Sequence, residues 1–174
     1  MQKMEQMYEG KAKKVFATDD PNLCIVSYKD DATAFNGKKK GTIEGKGVVN
    51  NRMSNFMFQL MEKHGIPTHF VKELNDRETL VKKVTIVPLE VIMRNKAAGS
   101  MAKRLGLEEG KELLCPVLEF SYKCDELDDP MVNESHILAA GFATKEDLDT
   151  ISSMSRKINE IMCEFFASVG VELI

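Results

Sequence analysis

Along the chain the apolar positions change their spacing, and each change predicts where sheet gives way to helix. Lys13 to Ala17 and Leu23 to Tyr28 are short β-type runs. Thr18-Asp19-Asp20-Pro21-Asn22 between them is turn chemistry, so the pair predicts an antiparallel hairpin with Gly10 just ahead of its first strand. Asp30 to Gly47 (DDATAFNGKKKGTIEGKG) is polar and glycine-rich, which predicts an exposed, mobile loop. From Val48 the spacing becomes helical. Val48, Val49, Met53, Phe56, Met57, Leu60 and Met61 predict one apolar face, ended by Gly65 and Pro67. Ile66 to Val71, Leu80 to Val87 and Leu89 to Met93 are apolar, β-branched runs, and Pro88, lacking a backbone donor, demands a kink or an edge. Ala97 to Leu105 predicts a short helix closed by Gly106, and Cys115 to Asn133 reads as irregular and acidic. The clearest element comes last. Thr144 opens a capping box with Asp147, and Leu148, Ile151, Met154, Ile158, Ile161, Met162, Phe165, Phe166 and Val169 share one helical face that Gly170 stops. Val171 to Ile174 then reads as the start of a strand. The sum is an α+β chain, an antiparallel sheet lobe with helices packed on it.

Composition narrows the function classes. The 174 residues are 43% hydrophobic and 29% charged, the balance of a soluble globular protein of one domain or two small lobes. A formal net charge of −3 supplies no global attraction to nucleic acid or to an anionic membrane. Lys38-Lys39-Lys40 is the one basic run that tempts a nucleic-acid reading; with only Phe35 near it, it reads as a solvated loop. Four cysteines (Cys24, Cys115, Cys124, Cys163) show no CxxC pairing and no metal-ligand spacing, which fits a reducing cytoplasm without disulfides or zinc. The N-terminus has no signal-peptide stretch and no segment approaches a membrane span, so a cytoplasmic protein without membrane partners is expected. The eleven methionines read as core material on helix faces.

Candidate chemistry gathers at three places. Tyr8-Glu9-Gly10-Lys11-Ala12-Lys13-Lys14-Val15 sets a glycine and three lysines at a strand entry, which suits a phosphate group but equally describes a solvated strand edge. From Ile86 to Ser100 a strand delivers Arg94, and a turn of small residues then presents Gly99 and Ser100. A planar fork of donors, a hydroxyl and helix-start N–H groups are the parts of a phosphomonoester pocket; a salt-bridged surface arginine and a mere helix breaker are the plain alternative. Asp125, Glu126, Asp128 and Asp129 crowd four carboxylates before Pro130, either a solvated acidic loop or an organiser of polar substrate or magnesium-bound water. His64, His69 and His136 fall in no catalytic or metal-ligand spacing, and no metal ligand is assigned.

The stretch Ile86 to Ser100 (IVPLEVIMRNKAAGS) resembles the first signature of the phosphoribosylaminoimidazole-succinocarboxamide synthase family: two apolar residues, Pro, apolar, Glu, an apolar trio, Arg, three variable residues, then small-Gly-Ser. YEGKAKKV, DDATAFNG, KGVVNN, LVKKV, AAGSMAKRLGLEEG and DDPMVNES agree in order and spacing, so the resemblance covers essentially the whole chain. It implies a kinase-like N-terminal nucleotide lobe, here residues 1–87, joined to a second α+β lobe related to ATP-grasp ligases, residues 88–174, with ATP between them. The implied reaction uses ATP and Mg2+ to join L-aspartate to a carboxylated aminoimidazole ribotide. Gly10, Lys11, Ala12 and Lys13 would cover the ATP phosphates, with Val15, Val81 and Ile86 lining the adenine slot. Arg94 and Ser100 would hold the ribotide phosphate and Asp129 would face the aminoimidazole; Lys11, Lys13 and Asp129 are the implied catalytic groups. Asn36 stands where many relatives carry Asp and receives no charged role. The family's second signature, Asp-x-Lys-x-Glu-Phe-Gly, is expected directly after Ile174 and with it the magnesium ligands, so the chain is expected to be C-terminally incomplete. A truncated, non-catalytic nucleotide-binding module is the alternative, and a homo-oligomer is compatible with either. A small kinase-like phosphotransferase is disfavoured by the absence of HRD and DFG segments.

Overall fold

The computed structural model describes residues 1–34 and 39–174. Asn36 and Lys38 therefore lie outside the described residues, and Lys39 and Lys40 are described only as backbone. The chain divides into two compact units, Met1–Thr85 and Ile86–Ile174.

The first unit is built on a five-stranded antiparallel sheet. Its strands are β1 (Lys3–Glu9), β2 (Lys13–Thr18), β3 (Leu23–Tyr28), β6 (Phe70–Asn75) and β7 (Glu78–Lys82), in the order β1-β2-β3-β7-β6. The expected β2–β3 hairpin forms in register, Val15 facing Val26 and Phe16 facing Ile25. Strand β1 escapes the sequence reading because all seven of its residues are exposed. Its ladder to β2 holds it, and no apolar alternation betrays it. Methionines 1, 4 and 7 are consequently solvent-exposed and not core.

The expected loop over 30–47 is corrected. β4 (Asp31–Ala34) and β5 (Lys39–Thr42) pair as a separate two-stranded ribbon, Asp31 facing Thr42 and Ala34 facing Lys39. Glycine and lysine content concealed it, since two short strands need only backbone pairing. Helix α1 (Lys46–Lys63) follows, and here too the apolar face is corrected. Gly47, Asn51, Asn55 and Met61 are buried, whereas Val49, Met53 and Phe56 are exposed. Hydrogen bonds decide the rotation of the helix. The Thr79 hydroxyl on β7 lies 2.7 Å from Asn51 Oδ1 and 2.8 Å from Asn55 Oδ1, sharing its single proton between them. Asn51 Nδ2 donates to the Asn75 carbonyl at 3.0 Å, and Asn55 Nδ2 to Glu73 at 2.8 Å.

The run 80–87 is shorter as a strand than expected: β7 ends at Lys82, and residues 83–87 carry no regular structure. Val84 and Ile86 are 60% and 72% exposed there. The run from Ile66 likewise becomes strand only at Phe70, although Ile66 itself is buried.

The second unit carries a three-stranded antiparallel sheet of order β10-β9-β8, with β8 (Leu89–Lys96), β9 (Glu112–Tyr122) and β10 (Met131–Val132). β8 starts one residue after Pro88, where the missing donor matters least. β9 overturns the irregular reading of residues 115–133. The pairing shifts register between Arg94/Val117 and Lys96/Glu112, and Pro116 falls within that bulge, where its missing donor is tolerated. Helix α2 (Gly99–Leu105) packs Met101 and Ala102 with Ala97 against Leu113 and Val117, and ends at Gly106, φ 63°. Helix α3 (Glu134–Ala140) was also missed: Asn133 caps it, with His136 where an acid is usual.

Helix α4 (Lys145–Ser168) forms with the expected Thr144/Asp147 capping box. Leu148 joins Leu89 and Ile137 in a buried cluster, each worth about 1.5–3 kcal/mol for full burial. Asn159 of α4 and Asn95 of β8 exchange amide hydrogen bonds of 2.8 and 3.0 Å, which sets the helix against the strand. Residues 171–174 are not a strand. The Leu173 carbonyl accepts from the Asn95 side chain and Glu172 pairs with Lys96, so side chains take the place of a ladder.

Candidate functional site

In the first unit the Gly10–Lys13 segment is the turn between β1 and β2. Gly10 N–H donates to the Lys13 carbonyl at 2.9 Å, and the Ala12 carbonyl accepts from Lys29 N–H at 2.8 Å, tying the turn to the end of β3. A Cβ at Gly10 would lie 3.0 Å from the Tyr8 hydroxyl, so the ring leans over this residue. Lys11 and Lys13 are exposed. Beside the turn Lys29 Nζ joins Glu9 at 2.7 Å and Asp31 at 2.5 Å. The Lys29 hydrogen bond holds the Glu9 carboxyl below its ordinary pKa, and Asp31, then Glu9, raise that of Lys29. Val15 and Val81 come together with Cys24, Val26 and Tyr28 in one apolar cluster. Burial lowers the pKa of His69, just ahead of β6, with Lys13 and Lys82 adding repulsion.

At the root of the β4–β5 ribbon Asp30 takes both terminal nitrogens of Arg77, at 2.7 and 2.8 Å, and also accepts from Gly47 N–H at 2.8 Å. The Arg77 guanidinium, followed by the Gly47 amide, holds the Asp30 carboxyl well below the usual carboxylate range. Gly47 is required by close approach: a Cβ would stand 2.6 Å from both Arg77 Nη1 and the Tyr28 carbonyl.

In the second unit Arg94 near the end of β8 and Ser100 at the start of α2 are brought together, Nη2 to Oγ 3.2 Å. Gly99 between them adopts φ +55°, a turn that a side chain resists. Its N–H donates to Glu109 at 3.0 Å. Arg94 Nε reaches Glu119 at 3.3 Å, and Arg104 holds the other oxygen of the same carboxylate. Arg94 is therefore salt-bridged, as the plain alternative expected, and it also reaches the Ser100 hydroxyl. Asp129 sits elsewhere in the unit, where its carboxylate accepts from Cys124 N–H at 2.8 Å and closes a loop whose last two residues, Asp128 and Asp129, have φ 56° and 46°. Among the described residues no group of three or more His, Cys, Asp or Glu converges to hold a metal, the acidic run 125–129 included. Nor is any described helix long and apolar enough to cross a membrane.

Glu119, Arg104, Asp30 and Arg77 went unnoticed in the sequence. Each has a partner 15 to 47 residues away, and no spacing rule announces such a pair.

The family model described as SAICAR synthetase matches residues 6–174. The chain belongs to the SAICAR synthetase family. It is 63% identical over 174 residues to the phosphoribosylaminoimidazole-succinocarboxamide synthase of Lachnoclostridium phytofermentans, covering all of this chain and 74% of that relative. The namesake from Thermoanaerobacter sp. is 61% identical with the same coverage. Among solved structures, the Ehrlichia chaffeensis synthase superposes with a TM-score of 0.95 at 48% identity, covering 98% of this chain and 72% of that one. A SAICAR synthetase in complex with ADP gives a TM-score of 0.93 at 44% identity, again covering 98% and 72%. The mixed α/β architecture with antiparallel sheets is therefore that of the family.

Proposed function

We propose that this chain supplies the nucleotide and ribotide sites of an ATP-dependent carbon–nitrogen ligase of purine biosynthesis, joining L-aspartate to 5-amino-1-(5-phosphoribosyl)imidazole-4-carboxylate. The family match over residues 6–174, together with the Arg94–Ser100 pairing inside the matched signature, carries this reading. It favours the ligase over a non-catalytic nucleotide module. A carboxylate is a poor electrophile. Transfer of the γ-phosphoryl of ATP to a carboxylate oxygen of the ribotide gives an acyl phosphate and ADP. The aspartate amine then attacks the acyl carbon, the C–O bond to phosphate breaks, and the amine proton is lost as the amide forms. Positioning and charge neutralisation dominate such a transfer.

The unit Met1–Thr85 is the nucleotide lobe in this reading, kinase-like in its use of a sheet turn over phosphates, and Ile86–Ile174 is the ATP-grasp-related ribotide lobe. Gly10, Lys11, Ala12 and Lys13 cover the ATP phosphates. Val15 and Val81 form an apolar floor for the base. Lys11 and Lys13 neutralise the phosphoryl oxygens. Arg94 and Ser100 grip the ribotide 5′-phosphate, and Asp129 faces its aminoimidazole. Magnesium would accompany the nucleotide, and the described residues form no cage for it. The test is ADP release, which should require both aspartate and the ribotide. Release at the same rate with either omitted would end the reading.

A further inference from the structure

We propose that Glu119 is a positioning residue for the ribotide phosphate and that it recruits Arg104 as a second cation of the same pocket. The inference rests on the reading of Arg94 and Ser100 as phosphate ligands and names what holds them in place. Glu119 lies on β9 opposite Ile92, so it shares a sheet face with Arg94 two residues along β8. Its side chain is only 14% exposed, and its two oxygens are divided between two arginines. One accepts from Arg94 Nε at 3.3 Å, and the other from Arg104 Nη2.

The choice of nitrogen matters. By taking Nε, Glu119 occupies the edge of the Arg94 guanidinium that faces back along the side chain. The terminal edge is left toward the Gly99–Ser100 turn, where Nη2 is 3.2 Å from Ser100 Oγ and Nη1 is 3.9 Å from where a Gly99 Cβ would stand. A guanidinium on a flexible stem presents a bidentate fork only while something fixes its plane. Glu119 does so without covering those terminal donors. Through its second oxygen it also draws Arg104, on α2 and 38% exposed, to the same place. Within this trio two guanidiniums outweigh one carboxylate by one positive charge, while the Glu109 carboxylate sits beside it on the Gly99 N–H.

A carboxylate between two arginines could act oppositely, competing with phosphate for them. The two roles give opposite signs. If Glu119 positions, Glu119→Ala in the full protein raises the ribotide KM about tenfold, equivalent to about 1.4 kcal/mol. The KM values for ATP and aspartate then stay within about twofold. Glu119→Gln, which keeps one acceptor oxygen, gives a smaller rise. Arg104→Ala raises the same KM and serves as the independent probe should the Glu119 variants fold poorly. A ribotide KM that falls or stays constant in Glu119→Ala overturns the positioning role, as does a parallel rise for all three substrates. An unchanged ribotide KM in Arg104→Ala removes Arg104 from the pocket. The underlying reading is tested separately with the phosphate-free nucleoside. If the unaltered protein binds it as tightly as the ribotide, the phosphate site itself is misassigned. If that discrimination is intact yet indifferent to Glu119 and Arg104, the present inference alone fails.

Discussion

At the residue scale, Arg94 shows how much one side chain can be asked to do. Its Nε is committed to Glu119 and its Nη2 to Ser100, so no single ammonium can replace it. Arg94→Lys should raise the ribotide KM about tenfold while leaving the ATP KM nearly unchanged, as the bidentate fork is lost; steady-state kinetics with each substrate varied in turn checks this. Asp30 makes a different prediction. Its folded pKa is depressed below the unfolded value of about 3.9, chiefly by Arg77. The Asp30–Arg77 contact therefore stabilises fully above that value and is lost as the pH falls toward the depressed one. Asp30→Asn should lower the melting temperature at pH 7, and the gap to the unaltered protein should close progressively below about pH 4. A gap that stayed constant down to pH 2 would mean that charge plays no part in the contact.

At the element scale, α1 and α4 were read from the same periodicity and only one was read correctly. For α4 the cap and most of the apolar stripe agreed, because Leu148 and Ile161 bury the face that hydropathy selects, while Val169 falls past the helix end and is exposed. Thr144→Ala should cost about 1 kcal/mol in urea unfolding, and Thr144→Ser far less, since the hydroxyl that accepts from Asp147 N–H is kept. For α1 a polar network overrides the stripe, turning Asn51 and Asn55 inward and leaving Val49, Met53 and Phe56 outward. Thr79→Val preserves shape but strips both amide oxygens of their shared donor, so it should destabilise by about 1–3 kcal/mol. Near-neutral unfolding energetics would show that hydropathy, not hydrogen bonding, sets the helix. β9 and the β4–β5 ribbon were missed for a related reason. Pro116, glycines and lysines are penalised by propensity, whereas a bulge and plain backbone pairing accommodate them.

At the scale of the whole molecule, the exposed, irregular stretch 83–87 joins the two compact units. Brief trypsin treatment should cut first after Lys82 or Lys83, both exposed, giving fragments of which one begins at or next to Val84; mass spectrometry of the early products decides it. What the sequence alone determined is whatever local chemistry can state. The β2–β3 hairpin, the α2 stop at Gly106, the α4 cap and the order Arg-x-x-x-small-Gly-Ser each depend on residues a few positions apart. Tertiary structure decided which face of α1 is buried, that β9 pairs with β8, and which atoms of Arg94 meet Glu119 and Ser100. Those outcomes depend on Thr79 meeting Asn51 across 28 residues and on Glu119 meeting Arg94 across 25. Such pairs exist only after the chain has closed on itself, and no local period encodes them.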